Sequence, residues 1–240
     1  MNTRFKYVKT GLVCWALIAS FFNVRGLAAY QNMDIAPAER RSQALNNYRQ
    51  GLRFNPKSQE IHYNLGLLYE DWNKWDEAAQ AYEFAMLEGR IQAYNNLARL
   101  YIRQGKANEA IRFLESTQES DNYQSFIPED LYNFHKNLGW ARWQQGRYQE
   151  AEEALSDALI IADRIKEVKK EIRTPNLVEE RVPNLASADC ILAQVLHDQG
   201  KQAGARQHWQ SCLDLGNSQV PEEDEWMGVA RQRLNPDRID

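Results

Sequence analysis

The sequence predicts an all-α chain built from successive antiparallel helix hairpins, and three observations carry that expectation. A short block recurs: Asn64-Leu65-Gly66-Leu67-Leu68-Tyr69, Asn96-Leu97-Ala98-Arg99-Leu100-Tyr101 and Asn137-Leu138-Gly139-Trp140-Ala141-Arg142. Twelve residues after the small residue of each block stands an alanine, Ala78, Ala110 or Ala151, that opens a second apolar stripe. Gly105, Gly146, Gly200 and all seven prolines fall between these stripes, where they punctuate helices without breaking them.

The elements follow in register. One hairpin starts near Gln59, with Leu65, Gly66, Tyr69, Trp75, Ala78, Tyr82 and Ala85 at equivalent positions. A second starts near Ile91 (Leu97, Ala98, Tyr101, Gly105, Ala110) and a third near Tyr132 (Leu138, Gly139, Gly146, Tyr148, Ala151, Ala158). A weaker fourth starts near Ala186, with Leu192, Ala193, Gly200, Ala205, Trp209 and Cys212. Small residues at Gly66, Ala98, Gly139 and Ala193 let paired helices approach closely, and aromatic residues fill the gaps between hairpins. Gly105, Gly146 and Gly200 stand where the first helix must end in a left-handed residue, and Asn73 takes that place in the first hairpin.

These residues resemble the tetratricopeptide repeat (TPR), a helix-turn-helix unit with L-G-x2-Y and a later A-x3-F. The resemblance implies a right-handed superhelix of hairpins. Ala44, Tyr48, Gly51 and Pro56 lie one period upstream of Ala78, Tyr82, Ala85 and Arg90, so residues 30–57 read as an N-terminal capping half-repeat. The array occupies residues 58–216. The helix from Tyr148 is expected to run on to about Arg173, with an extended helix and loop at about 160–185. Ile161, Ile165, Val168 and Ile172 make an apolar stripe there, covered either by Leu177, Val178 and Val182 or by a partner. Residues 217–240 hold a last amphipathic helix, Glu222 to Leu234, expected to cap the open end, and a tail.

The first 29 residues have a different character. Arg4, Lys6 and Lys9 precede the uncharged run Gly11 to Phe22, and Gly26-Leu27-Ala28-Ala29 offers small residues for cleavage. That order reads as a secretory signal peptide cut near Ala29, or as an uncleaved signal anchor. Removing residues 1–29 would take the net charge from −4 to −8. The chain is thus expected to be exported (periplasm, lumen or exterior) or membrane-anchored. Cys190 and Cys212 would then remain; they read as small buried residues of a helical core, although an exported chain can pair them.

Chemistry is sparse. The 240 residues, 43% apolar and 26% charged, are ordinary for a folded domain, and 29 basic against 33 acidic residues argues against a nucleic-acid binder. No HExxH, CxxC, phosphate-binding loop or GxSxG is present, so no catalytic residue, metal or cofactor is assigned. His62 and His135 read as packing residues.

What remains is a surface. The resemblance implies a concave face, lined by the first helix of each hairpin, that binds an extended peptide or partner helix. Its residues here are Tyr63, Asn64, Leu67, Asn95, Asn96, Arg99, Ile102, Arg103, Lys136, Asn137, Trp140 and Trp143. Arg99, Arg103 and Lys136 beside two tryptophans suit an acidic or C-terminal carboxylate ligand. The leading expectation is an adaptor binding a protein or peptide. The alternatives are a homo-oligomer through residues 161–182, a membrane-anchored assembly factor and a non-catalytic subunit of an enzyme complex; a cryptic enzyme is the weakest.

Overall fold

The computed structural model describes residues 3–172, 185–218 and 221–235, with the side chains of 3–13, 169, 171, 172 and 221 excepted. The described residues are helical, and the helices come in adjacent pairs: α1 (Thr3–Gln31) with α2 (Pro37–Phe54), α3 (Gln59–Asp71) with α4 (Trp75–Leu87), α5 (Gln92–Arg103) followed by α6 (Ala107–Gln118), α7 (Pro128–Gln144) with α8 (Tyr148–Ile172), and α9 (Ala186–Asp198) with α10 (Gln202–Leu215). A final α11 (Pro221–Leu234) follows, and a short 3-10 turn at Asp121–Ser125 fills the insertion before α7. The third hairpin begins four residues earlier than its repeat signature, because Pro128 is pre-set for the first helical turn.

The turns inside hairpins share one geometry. Asn73, Gly105, Gly146 and Gly200 all have positive φ, from 55° to 77°. The next residue's amide donates to a carbonyl five residues back: Lys74 to Tyr69, Lys106 to Tyr101, Arg147 to Arg142 and Lys201 to Leu196, at 2.8–2.9 Å. This satisfies carbonyls that each helix end would otherwise orphan.

The chain forms two compact units, Met1–Leu100 and Tyr101–Asp240. In the first, Ala19, Ala44, Tyr48, Ile61, Leu65 and Leu68 make a core. A β-carbon added at Gly66 would collide with the Tyr82 ring, so the glycine is what lets α3 and α4 close. Gly26 meets Tyr48 in the same way. The half-repeat at residues 30–57 therefore has its first helix after all. The second half of α1 supplies it, displaced because the link between Gly26 and Tyr48 is six residues longer than that between Gly66 and Tyr82.

In the second unit the core runs through Ala110, Leu155, Ile165, Leu192 and Trp209. Cys190 and Cys212 are both fully buried and form a disulfide between α9 and α10, with their Cα atoms 4.9 Å apart. This corrects the expectation of two unpaired core thiols: each cysteine sits on the face its hairpin partner covers, in register with the other. Along the extension of α8, Ile165 is buried, Ile161 half-buried and Val168 exposed. Leu177, Val178 and Val182, expected to cover that stripe, lie outside the described residues.

Candidate functional site

The expected ligand-facing positions divide between the two units, and their surroundings differ. In the first unit α3 carries Tyr63, Asn64 and Leu67, and α5 carries Asn95, Asn96 and Arg99. Tyr63 and Leu67 are partly exposed and Asn95 is buried. The Asn64 side-chain amide donates to the Asn23 carbonyl oxygen of α1 at 2.8 Å, and that of Asn96 to the Tyr63 hydroxyl at 3.2 Å. These two asparagines thus tie the first helix of a hairpin to the first helix of the hairpin before it. The Arg99 guanidinium meets both oxygens of Glu70 at 2.8 and 2.9 Å, and the Tyr82 hydroxyl donates to the same carboxylate at 2.9 Å. Burial raises the Tyr82 phenol far above its ordinary value, and the Glu70 charge adds to that. A bidentate pair of this kind fixes geometry as well as charge. Arg99, expected to face a ligand, is held by Glu70 in this structure.

In the second unit Ile102 is a fully buried core residue and Arg103 is exposed. Lys136, Asn137 and Trp140 are buried and Trp143 half-buried, although sequence position places them on a ligand-facing surface. Lys136 and the two tryptophans are covered by α11, which is seated on that face of α7. The Lys136 ammonium donates to Glu222 at 3.3 Å. The Trp226 ring meets Trp140 and Trp143 edge to face, with centroids 6.0 and 5.9 Å apart. At the other end of α11, Arg233 lies 3.3 Å from the His197 ring. The helix expected to cap an open end does pack on α9 and α10, but it also covers α7.

Two carboxylates anchor this arrangement. Glu223 is fully buried and accepts from the Asn217 amide at 2.9 Å and the Ser187 hydroxyl at 3.2 Å. Burial raises its carboxyl above the ordinary value, against the lowering effect of those two donors and Lys136. Asp198 accepts from the Trp143 indole at 2.8 Å and from Gln194 at 2.7 Å. Burial pushes the Asp198 carboxyl up, but the hydrogen bonds from Trp143, His197 and Gln194 outweigh it and hold it low. Trp226, Glu222 and Glu223 escaped the sequence reading. The acidic run Glu222-Glu223-Asp224 lies in the first turn of α11, where a negative charge also suits the helix dipole.

Beside α11 the second unit keeps an open groove of about 560 Å³, lined by Arg103, Ala107, Trp140, Gln144, Glu222 and Glu225 among others. It offers one exposed cation, an aromatic wall, side-chain amides and two carboxylates of α11. The histidines are engaged. His62 stacks on Phe84 at 5.0 Å, and burial lowers the His135 imidazole below its ordinary value against the pull of Asp157. Among the described residues no group of three or more His, Cys, Asp or Glu side chains is placed to hold a metal.

Comparison with known proteins adds the following. Three family models match, described as TPR repeat over residues 40–72 and as tetratricopeptide repeat over residues 95–164 and 186–211. No curated protein matches significantly in sequence. Among solved structures, pilF of Pseudomonas aeruginosa superposes with a TM-score of 0.62 at 18% identity, covering 94% of this chain and 95% of that one. PilW, described as a widely conserved type IV pilus biogenesis factor, gives 0.60 at 16% identity over 90% of each chain. A thermophilic TPR protein of Thermus thermophilus gives 0.58 at 16% identity, over 90% of this chain and 98% of that one.

Proposed function

The chain belongs to the tetratricopeptide-repeat family, and from that premise we propose that it is a scaffold that binds a peptide or partner helix on the inner face of its repeats and helps assemble or maintain a complex. The observation that carries this reading is α11. The inner face of α7 already holds one helix, through an acidic residue on Lys136 and an aromatic ring on the Trp140–Trp143 pair. A partner of the same chemistry, acidic at one end of its contact and aromatic next to it, suits the adjoining groove and its Arg103. PilW, described as a type IV pilus biogenesis factor, shares the fold, and biogenesis of such an assembly is one setting for a scaffold of this kind.

The location that fits is an oxidising compartment, reached by export or by tethering through the N-terminal segment. The buried Cys190–Cys212 disulfide supports it. The test is affinity purification from native cells after mild crosslinking, with wild-type chain and an Arg103→Glu, Gln144→Lys variant. The expected result is one dominant partner crosslinked around Arg103 or Trp140 and lost from the variant. A partner retained equally by both chains overturns the assignment of the groove. A second reading rests on the apolar groove of about 270 Å³ between α7 and the extension of α8, with Ile161 and Val168 in its wall. Self-crosslinks confined to that groove would move the assignment to a homo-oligomer.

A further inference from the structure

Helix α1, whose sequence reads as a targeting segment, is also a working part of the N-terminal hairpin it forms with α2. Ala19 is buried against α2, and a β-carbon at Gly51 would lie 3.2 Å from the Ala19 carbonyl. Phe22 stacks on Phe54 at 5.8 Å, Gly26 closes on Tyr48, and Asn23 accepts from Asn64 of α3. Cleavage near Ala29 would remove all of these at once and leave Ala44, Tyr48 and Gly51 of α2 facing water. A cleaved signal peptide owes the mature fold nothing; this segment makes the same glycine-on-tyrosine contact that Gly66 makes with Tyr82.

The opposite side of α1 is apolar too. Cys14, Leu17, Phe21 and Val24 are spaced three, four and three residues apart, one helical stripe facing away from α2. Leu17 is 65% exposed, Phe21 56% and Val24 63%. A helix apolar on both sides must bury both. Protein covers one side. The charge pattern identifies what covers the other: Arg4, Lys6, Lys9 and Arg25 are the only charges in residues 1–29, on a chain whose remaining residues carry −8. An acidic body with a basic, apolar helix fits an anionic lipid surface. Among the described residues no helix is long and apolar enough to cross a membrane. With 29 residues α1 outruns the 18 of α2 by about 16 Å, roughly half a hydrocarbon core.

We propose that α1 is retained in the mature protein and docks its Leu17–Phe21–Val24 stripe onto an anionic bilayer surface, lying on the membrane while its other face completes the first hairpin. This narrows the location given above to tethering through α1. It does not depend on the groove beside α11, which lies in the other unit and is tested by crosslinking.

Two measurements decide it, both on the full chain. Intact mass of protein purified from native cells should include residues 1–29; a mature chain beginning near residue 30 overturns the proposal. Flotation with vesicles containing phosphatidylglycerol should carry the wild-type chain up, and a Leu17→Glu, Phe21→Glu, Val24→Glu variant with unchanged circular dichroism should float at least roughly tenfold less. An environment-sensitive fluorophore on Cys14, which is exposed and the one free cysteine among the described residues, gives a readout that leaves Leu17, Phe21 and Val24 in place. Its emission should shift to the blue with anionic vesicles and far less with phosphatidylcholine alone. Unchanged emission, or a lipid-free dimer dissolved by the triple variant, overturns the lipid assignment, the latter in favour of a second copy.

Discussion

Reduction of the Cys190–Cys212 disulfide is the most direct perturbation of the second unit. The bridge spans a sequence separation of 22 residues. Constraining an unfolded loop of that length is worth about 3 kcal/mol in chain entropy. Both sulfurs are fully buried, so reduction requires unfolding in denaturant and refolding with reductant present. Urea titrations of oxidised and reduced chain, followed by far-UV circular dichroism, give the difference. Both samples should carry Cys14→Ser, because the exposed Cys14 thiol otherwise exchanges with the bridge. With a slope of about 2 kcal/mol per molar urea, the transition of the second unit should fall by roughly 1.5 M. Amide exchange should speed up in α9 and α10 and stay unchanged in α3 and α4, since each hairpin in a repeat array rests on its neighbours alone. Superimposable curves for oxidised and reduced chain would refute the reasoning.

Arg99→Glu should cost at least about 2 kcal/mol in the same urea titrations, because it leaves Glu70 facing a second carboxylate; an unchanged midpoint would contradict the Arg99–Glu70 pair. Gly66→Leu should lose about 1–3 kcal/mol by forcing Tyr82 away, and an unchanged midpoint would contradict the close approach of α3 and α4. The Glu223 carboxyl is raised on folding. Its contribution to stability is therefore fully present below its unfolded value and lost as pH rises through its folded value. Thermal melts from about pH 4 to about pH 8 should show Glu223→Gln gaining on wild type as pH rises; a difference independent of pH would count against a raised carboxyl.

The fold was legible because its signals are local. A glycine or alanine at a helix crossing, a second alanine twelve residues on and a left-handed glycine between them all act within one hairpin. Gly105, Gly146, Gly200 and even Asn73 take the conformation their spacing demands. The first hairpin was half-hidden for a physical reason. Its α1 reads as a targeting segment because a basic start precedes an uncharged apolar run, and the longer link to α2 shifts Gly26 out of the register that Ala44, Tyr48 and Gly51 announce. The disulfide was open for a similar reason: two cysteines 22 residues apart face each other only once the turn of the hairpin is placed.

The binding surface was less legible, because exposure is a property of neighbours. Asn64, Asn96 and Asn137 occupy one repeat position, yet the first two reach another helix and the third is buried. Repeat position fixes which side of a helix a residue takes. It does not say whether Glu70 will claim Arg99 or whether Trp226, more than eighty residues downstream, will cover Trp140. A helix that covers an inner face must reproduce what a ligand would do there, placing an acid on Lys136 and a ring on the tryptophans. On the proposed reading, the covered positions carry the chemistry this face would accept, and the groove lined by Arg103 and Gln144 is where a second helix of that chemistry would bind.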